Sequence, residues 1–157
     1  IKEMSLKDNA LLTTSKKINL VEKGFLRSNE ICDLAQKIIS DFDVRTTGLE
    51  METGNLSGGN LQKFILGREI LQNPRILIVS QPTWGVDAGA AVFLRKSLLD
   101  LAAQGCAILI ISQDLDEIFE ICDRIAVLYQ GTLSPLINTE SASIHQIGLL
   151  MGGEIAE

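Results

Sequence analysis

Residues 56–62 read Leu56-Ser57-Gly58-Gly59-Asn60-Leu61-Gln62, and the apolar residues that follow keep helical spacing. Serine is a favoured helix N-cap, so a helix is expected from Ser57, with Leu61, Phe64, Ile65 and Leu71 on its buried side. Two glycines in a first turn cost helix stability, of order 1 kcal/mol each. They also leave backbone N–H groups bare at the positive end of the helix dipole, which suits a phosphate. That cost is easier to understand if something must approach the backbone closely. Taken alone, the same residues are explained more simply by a plain capped helix start after a loop.

Working outward, Ile31, Leu34, Ala35, Ile38, Ile39 and Phe42 make one apolar face and predict a helix from Ser28 to Phe42. Residues 1–27 read as loop with short helix, and Asp43 to Asn55 as a polar loop. Downstream, Asn73 precedes Pro74 and stops the helix that starts at Ser57. The run Ile76 to Val79, bounded by Pro74 and Pro82, predicts a buried strand. After Asp87, residues Ala91, Leu94, Leu98, Leu101 and Ala102 share a helical face that Gly105 ends. Cys106 to Ile111 predicts a second buried strand, Leu115 to Cys122 a short helix, and Ile125 to Tyr129 a third strand. Gln130-Gly131 marks a tight turn into Leu133. Alternating strands and helices give an α/β class with a mainly parallel sheet. The first 56 residues lack strand signals. The expected division is a helical part over 1–73 and a sheet-based core over 74–157.

At 157 residues with 46% hydrophobic content, the chain has material for one ordinary domain with a real core. Its net charge of −6 gives no basic footprint, which argues against nucleic-acid binding. Cys32, Cys106 and Cys122 match no zinc or redox spacing and read as reduced core residues. No apolar run approaches the roughly 18 residues a membrane span needs. His145 reads as a surface or packing residue. Asp114, Asp116 and Glu117 could suggest a metal cluster, but acids complementing a helix dipole explain them better. The chain begins at Ile1, not at a methionine, which suggests a piece of something longer.

The stretches quoted above resemble the ATP-binding-cassette family in order and spacing. Leu56 to Gln62 is similar to its signature motif. Pro74 to Asp87, with the run RILIVSQPTWGVD, resembles its Walker B strand and D-loop. Ile111 to Glu117 (ISQDLDE) resembles its switch-histidine loop, and Asp123 to Gly131 (DRIAVLYQG) the strand and turn that follow. The resemblance covers nearly the whole chain. Residues Phe42 to Arg45 and Gln81 to Gly85 point to the second cassette of tandem sugar or nucleoside importer ATPases. It implies a P-loop NTPase-like α/β fold that is truncated: the helical subdomain and the C-terminal part of the core, without the phosphate-loop strand. No Gly-Lys pair followed by Ser or Thr occurs in the chain, and Lys23-Gly24 has the wrong order.

The departures are concentrated where the family keeps its catalytic groups. The Mg²⁺-holding aspartate of the Walker B strand is Ser80, the water-activating glutamate is Gln81, and the switch histidine is Gln113. A neutral amide can orient a water but cannot take its proton. The expectation is a degenerate catalytic half-site. Trp84 stands where small or basic residues are more usual.

The resemblance implies that Leu56, Ser57, Gly58, Gly59, Asn60 and Gln62 serve an ATP, with Mg²⁺, held mainly by a second cassette in a head-to-tail pair. Asp87 would be the D-loop aspartate. Transmembrane permease subunits would be direct partners and a substrate-binding protein an indirect one, at the cytoplasmic face of the inner membrane. The chain alone, without a phosphate loop, is expected to be inactive. A non-catalytic interaction module and a soluble cassette protein outside transport are the alternatives. Without the phosphate-loop strand, the strands at 106–111 and 125–129 are each expected to lack a neighbour.

Overall fold

The computed structural model describes residues 1–14, 21–22 and 25–153, with backbone pairing alone for 21–22 and 25–26. Lys23-Gly24 lies outside the described residues. Two compact units divide the chain, Ile1–Leu109 and Ile110–Glu157.

In the first unit the helices are α1 (Leu6–Thr14), α2 (Ser28–Asp41), α3 (Gly58–Ile70) and α4 (Ala88–Ala103). Helix α2 forms where the 3–4 spacing predicts it, and buries Ile31, Ala35 and Ile38. One core joins α1, α2, the loop after α2 and the entry to α3. It holds Leu6, Ala10, Ala35, Ile38, Phe42, Val44, Leu56 and Phe64. A fully buried leucine or phenylalanine contributes roughly 1.5–3 kcal/mol relative to exposure, so Leu56 and Phe64 fix α3 at both ends of its first two turns. The segment leading into α3 is hydrogen-bonded to the start of the chain: Leu6 N–H donates to Met51 O (3.0 Å), Thr53 N–H to Met4 O (2.9 Å) and Gly54 N–H to Lys2 O (2.8 Å). Buried Asn9 completes that seam by donating to Thr53 Oγ1.

Strand β3 (Ile76–Ser80) pairs with β4 (Ala107–Ile111), and α4 makes the crossover between them, giving a short parallel sheet. Asn73 (φ +49°) and Gly105 (φ +92°) make the turns that end α3 and α4. Both strands were expected to be buried; β3 is buried on one side only, and β4 is half-buried on one side and exposed on the other. Leu77 is 8% exposed, whereas Ile76 and Ile78 are 69% and 64% exposed. Side chains alternate across a strand, so a two-stranded sheet covered on one face leaves every second residue open. Among the described residues β4 pairs with β3 alone.

Two further expectations are corrected in this unit. A short antiparallel hairpin, β1 (Val21–Glu22) with β2 (Phe25–Leu26), lies in the stretch read as free of strands. Two-residue strands are too short for any alternation to register. Ile65 of α3 and Ala102 of α4, read as core, are exposed. Their places are taken by Leu66, Gly67 and Ala90, because Phe64 and Leu94 set the rotation of each helix about its axis.

The second unit contains α5 (Leu115–Ile121), the short strands β5 (Arg124–Ile125), β6 (Leu128–Tyr129), β7 (Thr132–Leu133) and β8 (Ile137–Asn138), and α6 (Ile144–Met151). Ile118, Ile125, Val127 and Ile147 form its core. The single strand expected over Ile125–Tyr129 is broken into β5 and β6. The two halves serve different antiparallel partners: β5 pairs with β8, and β6 turns back on β7. Between them Val127 bonds Ser134 instead, its N–H donating to Ser134 Oγ (2.9 Å) and its carbonyl accepting from Ser134 N–H (2.8 Å). Gln130 (φ +44°) and Gly131 (φ +81°) make the expected tight turn, with the paired positive φ values a two-residue hairpin needs. All three cysteines are free thiols, Cys106 buried and Cys32 and Cys122 half-buried. Burial, with Glu117 and Asp123 nearby, pushes the Cys122 thiol up.

Candidate functional site

The signature-like turn is built by α3 and the loops on either side of it. Leu56 points into the core, so its side chain anchors the turn from beneath. Ser57 occupies the N-cap position in extended conformation (φ −62°, ψ 156°), as expected, but its side chain makes no capping bond to the helix. The hydroxyl is engaged sideways, because Asn60 Nδ2 donates to Ser57 Oγ (2.9 Å). The Asn60 carbonyl oxygen in turn accepts from Arg45 N–H (2.8 Å). Helix α3 therefore begins uncapped. Among the described residues no hydrogen bond engages the backbone N–H groups of Gly58, Gly59 and Asn60, the orphan donors of a first turn.

The two glycines face different surroundings. Gly58 is exposed, yet a Cβ there would come within 3.0 Å of the Gly85 carbonyl oxygen. Gly59 is buried, and a Cβ there would press on Ala90 Cβ at 3.3 Å and Asp87 Oδ2 at 3.4 Å. Both glycines thus have a packing reason that the sequence did not reveal: they let the loop before α4 lie against the first turn of α3. Gly85 (φ +70°) gives that loop its bend. Asp87 caps α4 by accepting from Ala90 N–H (2.9 Å). That bond, helped by Gly89 N–H and by Lys63, holds the Asp87 carboxyl below the usual range.

Further along α3, Lys63 Nζ donates to the Asp43 carbonyl and carboxylate, both at 3.1 Å, and lies 5.0 Å from the centre of the Phe93 ring. Phe93 meets Phe42 edge-on at 6.0 Å. Asp43 has φ +47°, and Lys63 keeps its carboxyl low. Lys63 was not singled out by sequence reasoning, and Asp43 and Arg45 entered it only within the run Phe42 to Arg45. Arg45 acts through its backbone N–H, which any residue except proline would supply, so its side chain gave no sign of this contact.

Apart from Gln62, the remaining candidates lie away from this turn in the sequence and differ in chemistry. Ser80 ends β3 exposed, and Gln81 follows with φ +51° and is half-buried. The Gln81 carbonyl accepts from Trp84 N–H (3.1 Å), closing a turn in which Pro82 is buried and Trp84 is 72% exposed. Gln62 is half-buried on α3. Gln113 is exposed in the second unit, just before Asp114, which caps α5 by accepting from Glu117 N–H (3.2 Å). His145 is exposed. Ser80 and Gln81 offer a hydroxyl and an amide, so the end of β3 lacks the carboxylate a Mg²⁺ ion would require there. Among the described residues no group of three or more His, Cys, Asp or Glu side chains could hold a metal ion, and no helix is long and apolar enough to cross a membrane.

No family model matches the chain. Individual proteins do. It is 42% identical over 156 residues to the nucleoside import ATP-binding protein NupA of Lactococcus lactis subsp. cremoris (strain MG1363), which covers 99% of the chain and 31% of that protein. It is 40% identical over 146 residues to the guanosine import ATP-binding protein NupO of Bacillus subtilis (strain 168), with 93% of the chain and 29% of that protein covered. The chain thus spans about a third of the length of these curated relatives. Among solved structures, the dimeric ATP-binding cassette MJ0796 in a post-hydrolysis state bound to ADP and Pi superposes with a TM-score of 0.73 at 20% identity, over 88% of the chain and 58% of that chain. The expected truncated cassette fold is therefore the one observed, and the chain belongs to the ATP-binding-cassette family.

Proposed function

We propose that this chain is part of the ATP-binding, energy-coupling subunit of an importer for sugars or nucleosides, and that it supplies the signature half of a composite ATP site. The two relatives named for nucleoside and guanosine import favour nucleosides. One observation carries the reading: α3 begins with a serine that does not cap it, leaving first-turn N–H groups and a hydroxyl at the positive helix end. Ser57, Gly58 and Gly59 would meet the γ-phosphate of an ATP held mainly by a second cassette, with Gln62 one turn along. The contact would form as the two cassettes close, and loss of the phosphate would release it. Residues 1–73 then act as the helical part that carries the signature, and 74–157 as part of the core, with Asp87 in the D-loop.

ATP with Mg²⁺ is the cofactor of the assembled site, and the metal's ligands belong to the partner half. Permease subunits at the cytoplasmic face of the membrane would receive the closing motion, and a substrate-binding protein would deliver cargo to them. Ser80, Gln81 and Gln113 belong to the other composite site, which binds nucleotide and hydrolyses it poorly. A second reading, a pairing module without turnover, draws on those same three residues. The two separate in a reconstituted full-length ATPase: Ser57→Ala should lower turnover at the intact site with little change in ATP affinity, whereas unchanged turnover would leave only the pairing role. The isolated chain should give no heat of binding with Mg-ATP, and micromolar binding by it alone would overturn the division of labour between the halves.

A further inference from the structure

Asn60 stands among the residues that the family resemblance assigns to ATP, but its side chain is occupied by the protein. Its carbonyl oxygen accepts from Arg45 N–H at 2.8 Å and its Nδ2 donates to Ser57 Oγ at 2.9 Å. The orientation of the amide is fixed by chemistry, since a flipped carboxamide would set NH₂ against the Arg45 N–H, donor to donor. Because Ser57 Oγ receives a hydrogen from Asn60, the serine's own hydrogen is left to donate elsewhere. Ser57 also accepts nothing from the helix backbone. The free direction for its O–H is therefore away from Asn60.

The abutment behind Asn60 is itself held. Val44, next to Arg45, is in the core, and its N–H donates to Ile39 O (2.9 Å). Asp43 is held through both its carbonyl and carboxylate by Lys63, one turn after Asn60 on the same helix. Helix α3 thus grips the loop over 43–45 at one turn and uses that loop to aim its own first residue at the turn before.

We infer that Asn60 is a positioning residue that presents the Ser57 hydroxyl as a hydrogen-bond donor to the γ-phosphate, with the Arg45 backbone as its support. The inference rests on the composite-site reading above. A donor aimed in advance at the place where charge develops needs no reorganisation when the site closes. Loss of the aim should therefore appear in turnover more than in ground-state binding.

The test is a double-mutant cycle in the assembled full-length ATPase. Asn60→Leu should lower kcat about ten-fold and leave KM for ATP within about two-fold, less than the 10²–10³ typical of deleting a donor outright. In a Ser57→Ala background the same substitution should have almost no further effect, because the hydroxyl it aims is gone. A purely structural Asn60 would instead cost the same in both backgrounds, and that additivity would overturn the inference. Asn60→Asp guards against misfolding, since a carboxylate still accepts from Arg45 N–H but takes the Ser57 hydrogen instead of giving one. It should lose kcat as Asn60→Leu does, and wild-type kcat in this variant would also overturn the inference. Wild-type turnover in Ser57→Ala alone would sink the composite-site reading itself.

Discussion

The first turn of α3 and the end of β3 are two short polar stretches at the ends of regular elements, and they are maintained differently. At α3, Ser57 is held by Asn60, Asn60 by Arg45, and the two glycines by the backbone that packs on them. The shape of that turn depends on side chains and close approach together. At β3, the backbone sets the shape: Gln81 has a left-handed φ, Pro82 is buried and Gly85 bends the loop, while Ser80 and Gln81 present no carboxylate. The contrast indicates what each region still has to do. The loop after β3 must keep its shape because Gly58 and Gly59 rest on it. That shape rests on the backbone turn and on Pro82 and Gly85, not on the side chains of Ser80 and Gln81.

The largest expected effect attacks the packed side of this comparison. Gly59→Val in the full-length ATPase would drive a branched side chain into Ala90 and the Asp87 carboxylate. Turnover should fall by about 100-fold or more, with nucleotide affinity within about two-fold, because the affected contacts form on closure. Measured kcat and Kd separate the two. A variant with normal turnover would reduce residues 57–59 to an ordinary helix start.

Next comes the support behind the turn. A Cβ at Gly67 would lie 2.5 Å from the Phe42 ring, which is buried and edge-packed on Phe93. Gly67→Val should therefore destabilise the chain by about 2 kcal/mol or more through overpacking, in spite of valine's better helix propensity. Chemical denaturation would read this directly. Loss of stability without loss of per-molecule turnover would show that the helix seat and the signature contacts are separable.

At β3 the expectation runs the other way. Introducing acids with Ser80→Asp and Gln81→Glu should change turnover at the signature-side site by less than about three-fold, since in the proposed arrangement those positions serve the other nucleotide. A large change in that site's turnover would mean that the two regions serve one nucleotide.

Part of this arrangement was legible in the sequence, and the reason is locality. The apolar spacing of Ile31, Ala35 and Ile38 and the stop at Asn73-Pro74 are local signals, and α2 and the end of α3 lie where those signals put them. Gln130-Gly131 likewise encodes its own turn. The run from Ile125 to Tyr129 does not say which neighbour each half will bond, so its division between β8 and β7 was hidden. At the site, the spacing of Ser57, Gly58 and Gly59 was recognisable. The role of Asn60 was not, because its support is a backbone N–H fifteen residues away, and neither was the packing of Gly59, which depends on a loop almost thirty residues downstream.

The smallest expected effect is a pH signature carried by Asp87, where the loop after β3 meets the first turn of α3. Asp87, which packs beside Gly59, has its carboxyl held low first by the Ala90 N–H it accepts from, and then by Gly89 N–H and Lys63. A carboxyl whose folded pKa is depressed binds fewer protons folded than unfolded in the window between the two values. Its stabilisation is therefore complete above the unfolded aspartate value of about 3.9, and is lost as pH falls through the lower folded value. From pH 8 to about 5 this group should contribute no pH dependence. Asp87→Asn retains a capping oxygen for Ala90 N–H but cannot titrate. The difference in unfolding midpoint between Asp87→Asn and the parent should be constant from pH 8 to 5 and should shift towards the variant below about pH 4. Ser80 and Gln81 do not titrate, so Ser80→Ala should leave the acid limb of the parent curve where it is. If Asp87→Asn and the parent lose stability in parallel down to pH 2, the carboxylate at the signature turn is as inert as the amide at the end of β3, and the two regions would differ in packing alone.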